Sequence, residues 1–149
     1  MQPEPMQPQI DWSGRAASRY WLRIALPGLA PMNTAASRRH RMAQHRAAQD
    51  LQLLVRALVG RRKPWTTGPL RRAHLFVTRH SSVMADRGNL AIAAKPLVDG
   101  LVQARVLAND SPQELRTERY EWEPAPPRAG FTELLVVEAS ENARLLEVA

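Results

Sequence analysis

The stretch that most constrains the fold of this chain is an amphipathic segment, residues 84–112, with an aspartate near each end. Apolar residues recur along it at helical spacing, which predicts a helix with one apolar face: Leu90, Ala94, Leu97, Leu101 and Val102. Asp86 stands just before this run, and Asp110 follows it in a polar turn. The two carboxylates can meet only where other elements fold back over the helix, as they do when separate elements surround one divalent cation.

The rest of the chain alternates between strand and helix patterns. Residues 20–26 and 71–79 alternate as half-buried strands, and residues 35–59 predict the longest helix, ending at Gly60. Residues 116–123 and 131–138 predict two further strands. The last of these is apolar on both faces, which indicates a central place in the sheet. We therefore predict a single α/β (α+β) domain, a small mixed sheet with two main helices.

The ends of the chain and one turn carry weaker patterns. Residues 1–18 predict a disordered or loosely ordered tail, because the first 13 residues are rich in proline and glutamine with little apolar content. Residues 141–149 predict a C-terminal tail. The run from Ser111 to Glu114 fits a capping box with proline at the first helical position.

Charge is distributed unevenly along the chain. The net charge is +7, yet residues 1–100 hold 16 Lys and Arg against 5 Asp and Glu, whereas residues 101–149 hold 5 against 9. An excess of one sign that is confined to one part of the chain favours a polyanionic partner.

Basic residues concentrate in the first half of the long helix and in the loop after it. Acidic residues are absent from this helix until Asp50, so i,i+4 ion pairs cannot account for its arginines. A solvated helix face is the alternative interpretation. We predict phosphate contacts from both segments, together with Asn89 near the start of the central helix: Arg38, Arg39, Arg41, Arg46, Arg61, Arg62 and Lys63.

Composition excludes several classes of protein. The chain has no cysteine, which excludes disulfide scaffolds and thiolate metal sites. Its four histidines show no metal-ligand spacing. No apolar run is long enough to span a bilayer, and the N-terminus is unlike a signal peptide. We expect a cytoplasmic protein without membrane partners.

The motifs of the central segment, taken in order, resemble a known family. Asp-x-x-Asn-Leu begins at Asp86, Lys-Pro-x-x-Asp-Gly-Leu begins at Lys95, and Asp110 precedes Ser-Pro. An early Leu-Pro-x-x-x-Pro-x-Asn begins at Leu26. This order resembles the RusA-type Holliday-junction resolvases of bacteria and their phages, over roughly residues 20–138. The RusA-like nuclease domain then spans residues 19–140, and the chain is expected to be encoded by a bacterium, phage or prophage.

The resemblance implies three metal-binding aspartates, one catalytic lysine, Mg²⁺ (or Mn²⁺) as cofactor, and a homodimer acting on four-way DNA junctions. Asp86 matches the first aspartate and Asp110 the last, whereas Gly88 stands where the middle one belongs. Lys95 is the nearest candidate for the lysine, and lies about one helical turn further along than in the family.

Each of these residues also has a simpler interpretation. Asp86 can be a helix N-cap, and Asp110 can cap the turn that follows it. Lys95 can form an i,i+4 ion pair with Asp99.

The expected function is a Mg²⁺-dependent crossover junction endodeoxyribonuclease that resolves Holliday junctions by paired nicks in recombination and repair. A junction-binding protein of the same fold, weakened or inactive through Gly88, is the first alternative. An RNA- or ribosome-associated basic protein is the second.

Overall fold

A computed structural model of the chain describes residues 7–13, 20–27, 38–60, 69–84 and 86–139, without the side chains of residues 38–41 and 44. The described residues form five strands and two helices. In chain order these are β1 (Gln9–Trp12), β2 (Trp21–Leu26), α1 (Arg38–Val59), β3 (Ala73–Ser81), α2 (Arg87–Gln103), β4 (Leu115–Pro124) and β5 (Phe131–Glu138).

The five strands form one mixed sheet in the order β1-β2-β5-β3-β4. β5 lies at the centre and pairs antiparallel with β2 and β3, which confirms the position predicted from its two apolar faces. β3 and β4 are parallel. Parallel neighbours cannot be joined by a hairpin, and α2 provides the crossover between them.

Both helices contribute to one hydrophobic core on one face of the sheet. Side chains on β3 and β5 alternate between buried and half-buried, as expected for strands with one covered face. Val55 and Val59 of α1 belong to this core, as do Leu97 and Leu101 of α2. The strands add a continuous buried set to it: Leu22, Ile24, Leu26, Leu75, Val77, Leu134 and Val136. The predicted single α+β domain with two helices is confirmed.

The N-terminal segment differs from the predicted tail. Residues Gln9–Trp12 pair antiparallel with β2, and Ile10 and Trp12 pack against the core. The Ser13 hydroxyl also accepts a hydrogen bond from the Trp21 amide at 3.1 Å. Two apolar residues are too few to indicate a strand by periodicity, and the exposed edge of β2 supplies the missing partner. Residues 1–6 and 14–18 of the predicted tail lie outside the described residues, as does the predicted tail 141–149.

The predicted helix end at Gly60 is confirmed, whereas the predicted capping box is wrong. Gly60 has a φ of 49° and donates its amide to the Arg56 carbonyl at 2.8 Å. Residues 112–114 form a turn without a helix. The Glu114 carboxylate accepts a hydrogen bond from the Arg72 amide, just before β3, at 3.2 Å. In a capping box it would accept from the Ser111 amide instead.

Within the described part of the chain, neither helix combines the length and apolar character needed to cross a membrane.

α1 and α2 approach closely at Gly100. A methyl group there would lie 2.9 Å from Val55 Cβ and 3.2 Å from the Gln52 carbonyl oxygen. Gly100→Ala should therefore lower the free energy of unfolding by about 1–3 kcal/mol through overpacking. Gly88→Ala is the matched control in the same helix, because Gly88 is exposed and the nearest atom to an added Cβ is Asp86 Oδ1 at 3.4 Å.

Gly88→Ala should raise the free energy of unfolding by about 0.5–1 kcal/mol, since alanine loses less backbone entropy in a helix. Urea denaturation of both variants measures the difference. Equal changes in the two variants would contradict the close helix contact.

Candidate active site

The parallel strand pair and its crossover helix determine where a site can form. β3 runs into residues 82–86 and then into α2, so the C-terminal ends of β3 and β4 and the N-terminus of α2 lie at the same end of the unit. Ligands of open α/β sheets bind outside the carboxyl ends of their parallel strands. Asp86 lies at this end of the sheet.

Asp86 is the N-cap of α2. Its backbone is extended, with φ −79° and ψ 159°, and its Oδ1 accepts a hydrogen bond from the Asn89 amide at 2.9 Å. The Asn89 side-chain amide donates to Asp86 Oδ2 at 2.8 Å. The capping interpretation of Asp86 is thus confirmed. Asn89, which was predicted to contact DNA, donates both of these hydrogen bonds to Asp86 in the described structure.

Capping leaves Asp86 with free acceptor positions. A carboxylate offers about four lone-pair sites, and the two hydrogen bonds from Asn89 use only part of them. The side chain is exposed at the end of the helix. Capping therefore holds the carboxylate in one orientation without excluding a further ligand.

A groove runs between the start of α2 and the edge strand β4. One cavity of about 770 Å³ is lined by Met84, Asp86, Arg87, Glu121 and Trp122. A second cavity, of about 510 Å³, shares Arg87 and Glu121 with the first and adds further residues of β4: Glu118, Arg119 and Tyr120. Because the two cavities share lining residues, we describe them together as the α2–β4 groove. It contains both basic and acidic side chains.

Lys95 bridges two carboxylates. Its ammonium group lies 3.0 Å from Asp99 Oδ1 and donates a hydrogen bond to Asp110 Oδ2. The hydrogen bonds to Asp110 and then Asp99 raise the pKa of Lys95, and the hydrogen bond from Lys95 lowers the pKa of Asp110. Both groups therefore stay charged at neutral pH.

The i,i+4 ion pair between Lys95 and Asp99, which is the simpler interpretation of Lys95, is present. The contact with Asp110 joins two of the predicted catalytic residues.

Tyr120 lies beside this bridge. Burial and the neighbouring Glu118 carboxylate raise the pKa of Tyr120 to about 12, and its hydroxyl lies 3.4 Å from Glu118 Oε2. Lys95 and Asp110 are close enough to influence this pKa electrostatically. Lys95, Asp110, Tyr120 and Glu118 thus form one charged cluster at the groove.

The three predicted catalytic residues are only partly brought together. Lys95 contacts Asp110, but no contact joins Asp86 to either of them within the described structure. Asp86 precedes Lys95 by nine positions, which corresponds to roughly 13 Å along the helix axis. Gly88 lies beside Asp86, since a Cβ at this position would be 3.4 Å from Asp86 Oδ1.

The carboxylates of the groove have the chemistry that Mg²⁺ prefers, but they are dispersed. Among the described residues, no group of three Asp, Glu or His side chains lies close enough to hold a metal ion. Mg²⁺ is commonly held by one or two protein carboxylates, with water and substrate oxygens as the remaining ligands. Asp86 fits this mode, and Glu121 lines the same cavity.

The predicted DNA-binding arginines are only partly covered by the structure. Arg46 is exposed on α1, as a phosphate contact requires. Arg38, Arg39 and Arg41 belong to the first turn of α1, and their side chains lie outside the described part. Arg61, Arg62 and Lys63 lie outside the described residues altogether. Phosphate contact by these residues stays a prediction.

The residues that β4 and the start of α2 bring to the groove were not predicted from the sequence: Arg87, Glu118, Tyr120, Glu121 and Trp122. The alternation of Tyr120 and Trp122 was the available signal, since both residues share the helix-covered side of the sheet with Val77 and Arg79. That alternation alone does not reveal that α2 passes next to β4.

No protein-family model matches the chain, and a comparison with curated proteins finds no significant match.

The position of Tyr120 can be tested by its ionisation. The chain has two tyrosines, so a Tyr20→Phe variant isolates Tyr120 in an ultraviolet absorbance titration. We expect a midpoint at about 12. Because the folded-state pKa lies above the ordinary value, stability should be lost as the pH rises from about 10 towards 12.

Glu118→Gln should lower this midpoint without restoring the ordinary value, because burial is the larger cause. Near-ultraviolet circular dichroism, recorded in parallel, reports whether the fold persists. A midpoint near 10 in the folded protein would contradict the described environment of Tyr120.

Proposed function

We propose that this chain is a Mg²⁺-dependent endonuclease that cuts four-way DNA junctions by paired nicks. The observation that supports this most is the Lys95–Asp110 contact, because it joins residues of two separate motifs that resemble the junction resolvases. The end of the parallel strand pair where Asp86 caps α2 is a usual position for a phosphate-binding site.

In this proposal the residues around α2 have distinct roles. Asp86, oriented by its cap, would be the first ligand of Mg²⁺ or Mn²⁺, and Asp110, predicted as the second ligand, would instead hold Lys95 in place. The bound metal would neutralise charge on the phosphodiester oxygens and activate water. The free amides in the first turn of α2 favour a phosphate at the helix N-terminus. Arg87, which lines the groove beside Asp86, suits a bidentate phosphate contact.

Lys95 would contact the reacting phosphate through the N–H donor that its two carboxylate partners leave available. Its ammonium group carries three donors, and Asp99 and Asp110 hold it at the middle of α2. This double contact restrains a side chain that otherwise has much rotamer freedom. A preorganised cation of this kind stabilises charge that develops on a phosphate oxygen during hydrolysis.

A homodimer belongs to the same proposal. Resolution of a two-fold symmetric junction requires two active sites related by symmetry. Basic residues in the first half of α1, including the exposed Arg46, would extend the DNA contact beyond each active site.

A junction-binding protein without nuclease activity is the second candidate, and one specific observation favours it. Lys95 already neutralises Asp110, so this carboxylate has a partner without any metal. Gly88 removes a further carboxylate beside Asp86. Such a protein would bind four-way junctions in the presence or absence of Mg²⁺ and leave them intact.

Asp86→Asn and Asp110→Asn should each abolish Mg²⁺-dependent cleavage of a synthetic four-way junction. Asparagine caps helices about as well as aspartate, so Asp86→Asn removes the charge while changing stability by no more than about 1 kcal/mol. Cleavage is measured on labelled strands, with EDTA as the metal-free reaction. Asp50→Asn, at an exposed position on α1, is the matched control and should cut like the parent.

Normal cutting by both active-site variants would refute the assignment of these aspartates. A parent that binds the junction with or without Mg²⁺ but never cuts it would favour the second candidate.

Gly88→Asp should lower the Mg²⁺ concentration needed for cleavage. The Cβ at this position would lie 3.4 Å from Asp86 Oδ1, an ordinary contact, so a second carboxylate can be added beside the first. Negative charge near a helix N-terminus is favourable by about 0.3–1 kcal/mol, which offsets part of the repulsion between the two acids.

The matched control is Gly88→Asn, which adds a side chain of the same shape without the charge. Mg²⁺ titration of cleavage compares the two variants with the parent. If Gly88→Asp and Gly88→Asn require the same Mg²⁺ concentration, position 88 does not contribute to metal binding.

A further inference from the structure

The connection between β4 and β5 passes over the end of another strand. β3 lies between these two strands in the sheet, so residues 125–130 must cross the C-terminal end of β3. The Ala125 amide donates to the Ser81 carbonyl at 3.0 Å, which attaches the loop to β3. A turn closed by the Ala129 amide and the Pro126 carbonyl, 3.1 Å apart, then brings Arg128 into position with a φ of 66°.

A small cavity of about 250 Å³ lies under this crossing loop, and we call it the loop pocket. β3 and the residue after it contribute Arg79, Ser81 and Ser82, and the loop contributes Arg128. The remaining lining residues are Pro27, Pro126 and Gly130. The pocket thus brings two arginines together, and its described lining includes no acidic residue.

Arg79 is a half-buried arginine that lacks a carboxylate partner within the described part of the chain. Its Nη1 donates to the hydroxyl of the fully buried Thr132 at 3.1 Å, and burial lowers the pKa of Arg79. Arg23, by contrast, has a carboxylate partner. Its Nη2 lies 2.6 Å from Glu133 Oε2, and this contact raises the pKa of Arg23. Removing a cation from water is costly unless an anion compensates it.

Gly130 leaves space beside the Nη2 atom of the Arg79 guanidinium. A Cβ at this position would lie 3.1 Å from Arg79 Nη2 and 3.1 Å from the His80 carbonyl oxygen. The absence of a side chain therefore leaves space beside Nη2. A guanidinium has five N–H donors in a planar fork, which matches the oxygen atoms of a phosphate.

We propose that the loop pocket binds a phosphate group through Arg79, Arg128 and the Ser82 hydroxyl. The Ser81 hydroxyl is already committed, because it accepts from Trp122 Nε1 at 2.9 Å and donates to the Val83 carbonyl at 2.7 Å. The shared chemistry is a phosphate oxyanion. Its source is either the backbone of DNA or free inorganic phosphate.

The position of the pocket connects it to the α2–β4 groove. Ser82 precedes Asp86 by four residues, which span at most about 14 Å. With DNA as the source, this inference rests on the proposed function, because the pocket would hold a backbone phosphate beside the one at Asp86. It would then position the DNA without taking part in hydrolysis.

The first experiment measures binding of a labelled four-way junction in EDTA, so that cleavage plays no part. Arg79→Gln and Arg128→Gln should each weaken binding by roughly ten-fold, the effect expected for a charge-assisted hydrogen bond to phosphate. Arg56→Gln is the matched control, because it removes the same charge from an exposed position on α1. This control should bind like the parent.

The second experiment uses inorganic phosphate as the probe. Phosphate should raise the melting temperature of the parent above that measured in sodium chloride of equal ionic strength, and should have no such effect on Arg79→Gln or Arg128→Gln. Arg128 lies on the surface, so its variant remains informative even if Arg79→Gln fails to fold.

Loss of junction binding in these variants identifies DNA as the source, whereas a response confined to inorganic phosphate identifies the free anion. If neither measurement depends on Arg79 or Arg128, the proposal is wrong. Because neither experiment requires cleavage, a protein that never cuts DNA can still support the pocket, and an active nuclease can still refute it.

Discussion

The parallel pairing of β3 with β4 is the constraint on which the rest of this structure depends. Parallel neighbours require a crossover, and α2 fulfils that role while covering the apolar face of the sheet. The same connection carries Asp86 to the end of the sheet and passes α2 beside β4. The groove, the cap and the Lys95 bridge all follow from that path of the chain.

Inserting β5 between β2 and β3 has a second consequence. The chain leaves β4 at the edge of the sheet and must pass over β3 to reach the centre. This path creates the loop pocket and brings Arg128 near Arg79. The topology therefore places two arginine-containing sites at the same end of the sheet, the α2–β4 groove with Arg87 and the loop pocket with Arg79 and Arg128.

The charged groups of this protein differ in how they are compensated. Lys95 is exposed and has two carboxylate partners, so its ion pairs add little to stability and act mainly to hold the side chain in place. Arg79 is half-buried and has only the Thr132 hydroxyl as a described partner. This uneven compensation contributes little to stability, and the poorly compensated Arg79 supports the phosphate contact proposed for the loop pocket.

Periodicity in the sequence determined the local elements of this protein. Apolar residues on both faces of 131–138 predicted a central strand, and the position of Asp86 before an amphipathic run predicted the helix that it caps. Local patterns suffice for such features because the backbone geometry of a helix or strand selects which neighbours share a face. Only the tertiary structure decided the rest. Lys95 meets Asp110 fifteen residues away, Gln9–Trp12 becomes a strand on the edge of β2, and Arg79 faces a loop from beyond β4. These contacts depend on which elements become neighbours, and long-range pairing leaves no periodic signal in the sequence.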